Sequence, residues 1–194
     1  MASWRPGLLN GAWILLTEPY PDSTGTLPTP DQVNLLAKVV AKRFFVNEKC
    51  AAHMGEESAL FCIIPFVAYP FIKTPVFIAQ SFYDSFNLFA LNAVPREFHE
   101  PGVIRYLEYS REAAMTSLQE ALNNPDTGVY LSSCLRHRLP WSGNERVQGL
   151  AVAEAFRKWY FGERSELHIF DACEGVACNA HCNQDFLHPP SKKQ

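Results

Sequence analysis

Residues 75–82, Pro-Val-Phe-Ile-Ala-Gln-Ser-Phe, form a continuous, largely apolar run rich in β-formers. A strand with one wet face alternates apolar and polar residues, whereas a strand covered on both faces does not. The run therefore predicts a parallel sheet with helices on either side. The rest of the chain fits that frame. A short apolar segment, Trp13 to Leu16, is followed by a turn-rich stretch carrying Pro19, Pro21, Gly25, Pro28 and Pro30, which sustains neither a helix nor a central strand. A helix is then expected, capped by Thr29, with Pro30 in its first position, Gln32 completing a capping box, and Val33, Leu36, Ala37, Val40 and Phe44 on one face. A long amphipathic helix is predicted over Val103–Asn123, ended by Asn123-Asn124-Pro125-Asp126, with a β-like run from Gly128 to Ser132 after it. A second capping box, Ser142-Gly-Asn-Glu145, predicts a helix through about Tyr160, and Leu167 to Phe170 reads as a last strand. Alternation of this kind indicates an α/β layered fold.

Function classes can be excluded on charge and hydropathy. A net charge of −3 and a pI near 6.1 argue against a nucleic-acid partner, which needs a basic face to displace phosphate counterions. The longest apolar stretch, around Phe61 to Ile72, is broken by Pro65 and Pro70 and is too short for a membrane span. Hydrophobic residues make up 47% of the chain and aromatics 13%, which places it among globular rather than disordered polypeptides. Nothing in the pattern sets an oligomeric state.

Six cysteines stand at Cys50, Cys62, Cys134, Cys173, Cys178 and Cys182. An even count with clustered members suits a disulfide framework in an oxidising compartment. A bridge from Cys50 to Cys62 would close the polar loop Met54-Gly-Glu-Glu-Ser58 and stabilise by about 3 kcal/mol. The rival is a zinc site, because His181 and His188 accompany Cys173-x4-Cys178-x3-Cys182. Structural zinc more often uses C-x2-C pairs, so disulfides are expected and no metal or cofactor is assigned. Residues 1–9 show no signal peptide, which sits awkwardly with an export-linked cysteine pattern.

Asp84 lies just beyond the first β-like run, in Phe82-Tyr-Asp-Ser-Phe-Asn87, and His137 lies beyond the second, in Ser132-Ser-Cys-Leu-Arg-His137. Open α/β sheets place ligand sites at the carboxyl ends of their strands. An Asp followed by a His on such loops matches the last two members of the α/β-hydrolase order Ser, Asp, His. A lone Asp there is also the usual helix cap or turn residue, and a lone loop His is commonly only hydrogen-bonded or solvated.

Longer motifs add weight. Thr74-Pro-Val-Phe-Ile-Ala-Gln-Ser-Phe-Tyr-Asp84-Ser-Phe-Asn, Ser133-Cys-Leu-Arg-His137, Trp141, the helix from Val147 to Trp159, Trp159-Tyr-Phe-x-x-Arg164 and the terminal cysteines together resemble the C-terminal part of the pectin acetylesterase/Notum family of secreted carboxylesterases. Cys50, Cys62 and Tyr69-Pro70 are similar to the family's cysteine loop before the same strand. The resemblance runs from about Asp31 to Cys182 and implies an α/β-hydrolase-like fold, with Asp84 as triad acid and His137 as general base. It implies that Cys134 is a structural cysteine bridged to one of the last three, and that the protein is secreted or bound in a cell wall. The implied substrate is an acylated polysaccharide or an acylated protein, with no cofactor.

One departure is large. The family carries its nucleophile on a G-x-S-x-G elbow upstream of the acid, and no G-x-S-x-G occurs in this sequence. Gly55-Glu-Glu-Ser58 has the wrong spacing, and Ser142-Gly143 lies beyond His137. Residues 31–182 are thus expected to be the later part of a hydrolase domain, residues 1–30 an irregular segment or the product of a mispredicted start, and 183–194 a polar tail. The alternatives are an extracellular, disulfide-stabilised binding module that does no catalysis, or a small zinc protein.

Overall fold

A computed structural model describes residues 6–15, 17–21, 46–162 and 168–182. Among these, four parallel strands lie in the order β1-β2-β3-β4: β1 is Gly7–Asn10, β2 Val76–Ser81, β3 Gly128–Ser132 and β4 His168–Phe170. Every residue of β2 and β3 is buried, as the unbroken 75–82 run requires. The side chains divide with the period of two expected of a strand. Val76 and Ile78 face one core with Trp13, Val103, Leu107 and Leu118, while Phe77 and Ala79 face a second with Tyr130, Val152, Ala155 and Trp159.

The helices cover both faces. α1 is Glu48–Met54, α2 the single turn Pro65–Ala68, α3 Pro101–Ser117, α4 Gln119–Asn123 and α5 Val152–Tyr160. α3 buries Val103, Tyr106, Leu107, Ser110 and Ala114, spaced along one helical stripe. α5 buries Val152, Ala155 and Trp159 on the opposite side of the sheet.

Three expectations need correction. The helix drawn over Val103–Asn123 is two helices, broken at Leu118. Ser117 Oγ donates to the Ala114 carbonyl at 2.8 Å while accepting the Trp13 indole N–H at 2.9 Å, and Leu118 N–H is shared between the carbonyls of Ala114 and Met115. A serine bonded back to the preceding turn tightens and bends a helix. The box at Ser142–Glu145 does not open a helix either. Glu145 is drawn to Arg136, and the helix starts at Val152, where Glu154 reaches back to the Ala151 N–H at 2.9 Å. Thirdly, the N-terminal segment is not wholly irregular, since Gly7–Asn10 is a sheet strand. The apolar segment Trp13–Leu15 is a crossing segment whose tryptophan is buried against Tyr69, ring edge to face at 5.9 Å. The helix placed after Thr29, its capping box, and also Leu16, Arg164, Leu167, His188 and the polar tail lie outside the described residues.

All six cysteines are bridged, Cys50 to Cys62, Cys134 to Cys182 and Cys173 to Cys178. No thiolate is therefore left to bind zinc. The first bridge joins α1 to the turn Ala59–Ile63, and the nearby Tyr69 hydroxyl bonds Thr127 and Asn124, tying this lobe to the loop before β3.

Candidate active site

Asp84 and His137 meet at the carboxyl ends of β2 and β3. His137 Nδ1 lies 3.1 Å from Asp84 Oδ2 and 3.3 Å from Oδ1. An ionised carboxylate only accepts, so Nδ1 carries the hydrogen and Nε2 is the basic nitrogen. The acid is 3% exposed, while the histidine side chain is 38% exposed. The pair therefore has a buried acid and an accessible base.

Asp84 is also a cap. Its Oδ1 accepts the N–H groups of Phe86 at 2.8 Å and Asn87 at 2.9 Å, opening the π-helical turn Phe86–Leu91. The cap and the contact with the histidine are compatible: capping fixes the carboxylate, and the second oxygen is turned to His137. That oxygen also accepts from Gln80 Nε2 at 2.8 Å. Burial pushes the Asp84 carboxyl above its ordinary value, against the N–H of Asn87, the contact with His137 and the Gln80 amide, which pull it down.

The His137 loop is held at several points. Asn10, the last residue of β1, exchanges two 2.9 Å hydrogen bonds with the backbone of Leu139. Ser85 N–H reaches the Arg136 carbonyl at 3.3 Å, and Ser81 Oγ donates to the Cys134 carbonyl, so the segments carrying Asp84 and His137 are bonded to each other. Arg136 is paired with the buried Glu145, whose carboxyl burial pushes up despite the guanidinium beside it. Cys134 is bridged to Cys182, and Asp171 accepts from the N–H and hydroxyl of Ser133 at 2.8 and 2.9 Å. The ring of Phe86 lies 5.3 Å from the imidazole. Of these supports the sequence points to the cysteines; Gln80, Ser81 and Asp171 carry no assignment there, and Glu145 reads there as a capping-box residue. The signal for the first two was a pair of polar residues in a strand that otherwise reads as wholly buried.

At Gly11 the backbone runs close against the His137 backbone. This glycine has φ +65°, and a Cβ placed there would lie 1.9 Å from the His137 carbonyl oxygen. Gly11→Ala is therefore expected to destabilise the chain by about 2–3 kcal/mol through overpacking and left-handed strain. Urea unfolding measures this, and a midpoint equal to the parent's would contradict the close approach.

Comparisons agree on the lineage of this arrangement. A family model described as Pectinacetylesterase matches residues 31–183. Pectin acetylesterase 7 of Arabidopsis thaliana is 25% identical over 154 residues, covering 69% of this chain and 38% of its own length. Pectin acetylesterase 5 of the same plant is 25% identical over 163 residues, covering 73% and 37%. Two crystal forms of the Wnt deacylase Notum from Drosophila superpose with a TM-score of 0.73 at 23% and 24% identity. They cover 92% of this chain and 48% and 49% of theirs. The chain thus spans less than two fifths of these curated relatives and about half of the Notum chains.

Proposed function

The chain belongs to the pectinacetylesterase family, and on that premise we propose that it supplies the acid and general base of a carboxylic ester hydrolase that removes acetyl groups from a polysaccharide. The observation that carries this reading is the contact between buried Asp84 and half-exposed His137 at the ends of adjacent parallel strands. In such a pair the imidazole Nε2 takes the proton of a serine hydroxyl as it attacks the ester carbonyl, then returns it to the departing alcohol. The carboxylate keeps Nδ1 protonated and stabilises the imidazolium that forms. The polysaccharide is preferred because the curated relatives are named pectin acetylesterases. Three disulfides and the family support a secreted or cell-wall location.

No nucleophile is assigned within the 194 residues, since they contain no G-x-S-x-G. The chain by itself is therefore expected to hydrolyse p-nitrophenyl acetate no faster than buffer. A burst of nitrophenol stoichiometric with protein would show an acyl-enzyme and overturn that assignment. In a longer product of the gene, an in-frame elbow serine should bring hydrolysis of acetylated pectin. Turnover of an acylated peptide in its place would move the reading to protein deacylation, the activity named for Notum. Binding of acetylated pectin without turnover by that longer product would identify the chain as a binding module.

A further inference from the structure

We propose that Gln80 is a positioning residue of the pair, its side-chain amide held by the backbone of Trp13 so that it turns the Asp84 carboxylate toward His137. A primary amide in a strand whose every residue is buried needs partners at both ends. Gln80 has them. Its Oε1 accepts the Trp13 N–H at 3.1 Å, and its Nε2 donates to Asp84 Oδ2 at 2.8 Å. The two ends cannot be exchanged: an N–H faces one and a carboxylate the other, so the amide orientation is fixed by its neighbours. Asp84 then receives four donors. Two backbone N–H groups hold Oδ1, while Gln80 and His137 share Oδ2.

The arrangement extends to a second amide. Asn87, whose own N–H donates to Asp84, also donates through Nδ2 to the Trp13 carbonyl and accepts the Leu15 N–H through Oδ1, both at 3.3 Å. Residues 13–15 are thus sewn to two side chains that touch or border the acid, while Asn10, just before them, holds the loop of the base. Among the described residues the titratable group facing Asp84 is His137; its other close partners, Gln80, Phe86 and Asn87, are neutral. A neutral donor in that position supports the ionised carboxylate without adding a charge that would compete with the imidazolium.

The proposal rests on the reading of Asp84 and His137 as acid and base, but its test does not need ester hydrolysis. The 194-residue chain labelled with 13C at the aspartate carboxyls is titrated by NMR as the parent, Gln80→Met and Gln80→Glu. Methionine removes the donor, and the Asp84 midpoint is expected to rise by about one unit, the scale of one hydrogen bond to a charged group. Glutamate keeps the size and an oxygen toward Trp13 but sets a second carboxyl beside Asp84. The two should then share a proton to higher pH still. If the methionine variant does not fold, the glutamate variant carries the test, because its protonated form restores a donor in acid. An Asp84 midpoint unmoved by the substitution, whatever the melting temperature does, would overturn the proposal. That outcome leaves the ester reading standing, and absence of esterase activity in a longer product leaves the titration standing.

Discussion

In a longer product that carries the elbow serine, Asp84→Asn should lower kcat for acetyl ester hydrolysis by about 10⁴-fold with KM little changed. The geometry explains the size. An asparagine can still accept the N–H groups of Phe86 and Asn87 through Oδ1, so the turn that Asp84 caps survives. Its Nδ2, however, would present a donor to His137 Nδ1. The imidazole then accepts at Nδ1 and carries its proton on Nε2, where the base is needed. His137→Ala removes the base and should cost roughly 10⁶-fold. Turnover within tenfold of the parent in either variant would refute the assignments.

The same buried carboxyl sets a pH dependence. Burial raises Asp84 above the ordinary value of 3.8, so the folded chain holds this proton more tightly than the unfolded one. Protonation of Asp84 therefore favours the fold, and that part of the stability is lost as pH rises through the folded value. Activity runs the opposite way, because only the carboxylate keeps Nδ1 protonated. The Asp84 midpoint, followed by carboxyl 13C NMR on the folded chain, should lie above the ordinary aspartate value, and melting measured over the same interval should not show Asp84 as a cause of acid unfolding. A carboxyl midpoint at or below 3.8 would contradict the dominance of burial.

How much of this was legible in sequence depends on what each residue has to contact. β2 and β3 could be read because burial on both faces leaves a one-dimensional trace, a run without polar alternation. Asp84 and His137 could be placed because strand ends are where such sheets hold their chemistry. The capping box at Ser142–Glu145 failed because a local pattern lost to a distant partner. A half-buried guanidinium nine residues back binds Glu145 more strongly than a helix N-terminus would. The break at Leu118 was invisible for a similar reason, since Ser117 reads as a tolerable helix residue until Trp13, 104 positions away, donates to its hydroxyl. Gln80 belongs with these. It sits in a strand that reads as wholly buried, and its two partners come from the crossing segment and the loop beyond the strand. Side chains whose role is to join elements leave no periodic signal.

The second large effect concerns stability. Replacing Cys134 and Cys182 together by alanine should destabilise the chain by about 4 kcal/mol, the chain-entropy estimate for a bridge closing 48 residues, against about 2 kcal/mol for the five-residue loop of Cys173 and Cys178. For a chain of this length the first change corresponds to a melting temperature lower by roughly 8–16 °C. The bridge sits three residues before His137, where its loss threatens catalysis as well, but the magnitudes point elsewhere. The histidine loop keeps both bonds from Asn10, the Ser81 hydroxyl on the Cys134 carbonyl and the Arg136–Glu145 pair. Each contributes on the order of 1 kcal/mol or more, and together they rival the lost bridge without depending on it. In the elbow-bearing product, molecules that remain folded should therefore hold Asp84 and His137 in contact. The double variant is expected to melt well below the parent yet keep kcat within tenfold at 20 °C. Scanning calorimetry and initial rates on the same preparation separate the two effects. Equal melting for the two bridge variants would count against the loop-length argument, and a collapse of kcat without loss of folded protein would make the disulfide, rather than the hydrogen bonds, the support of the base.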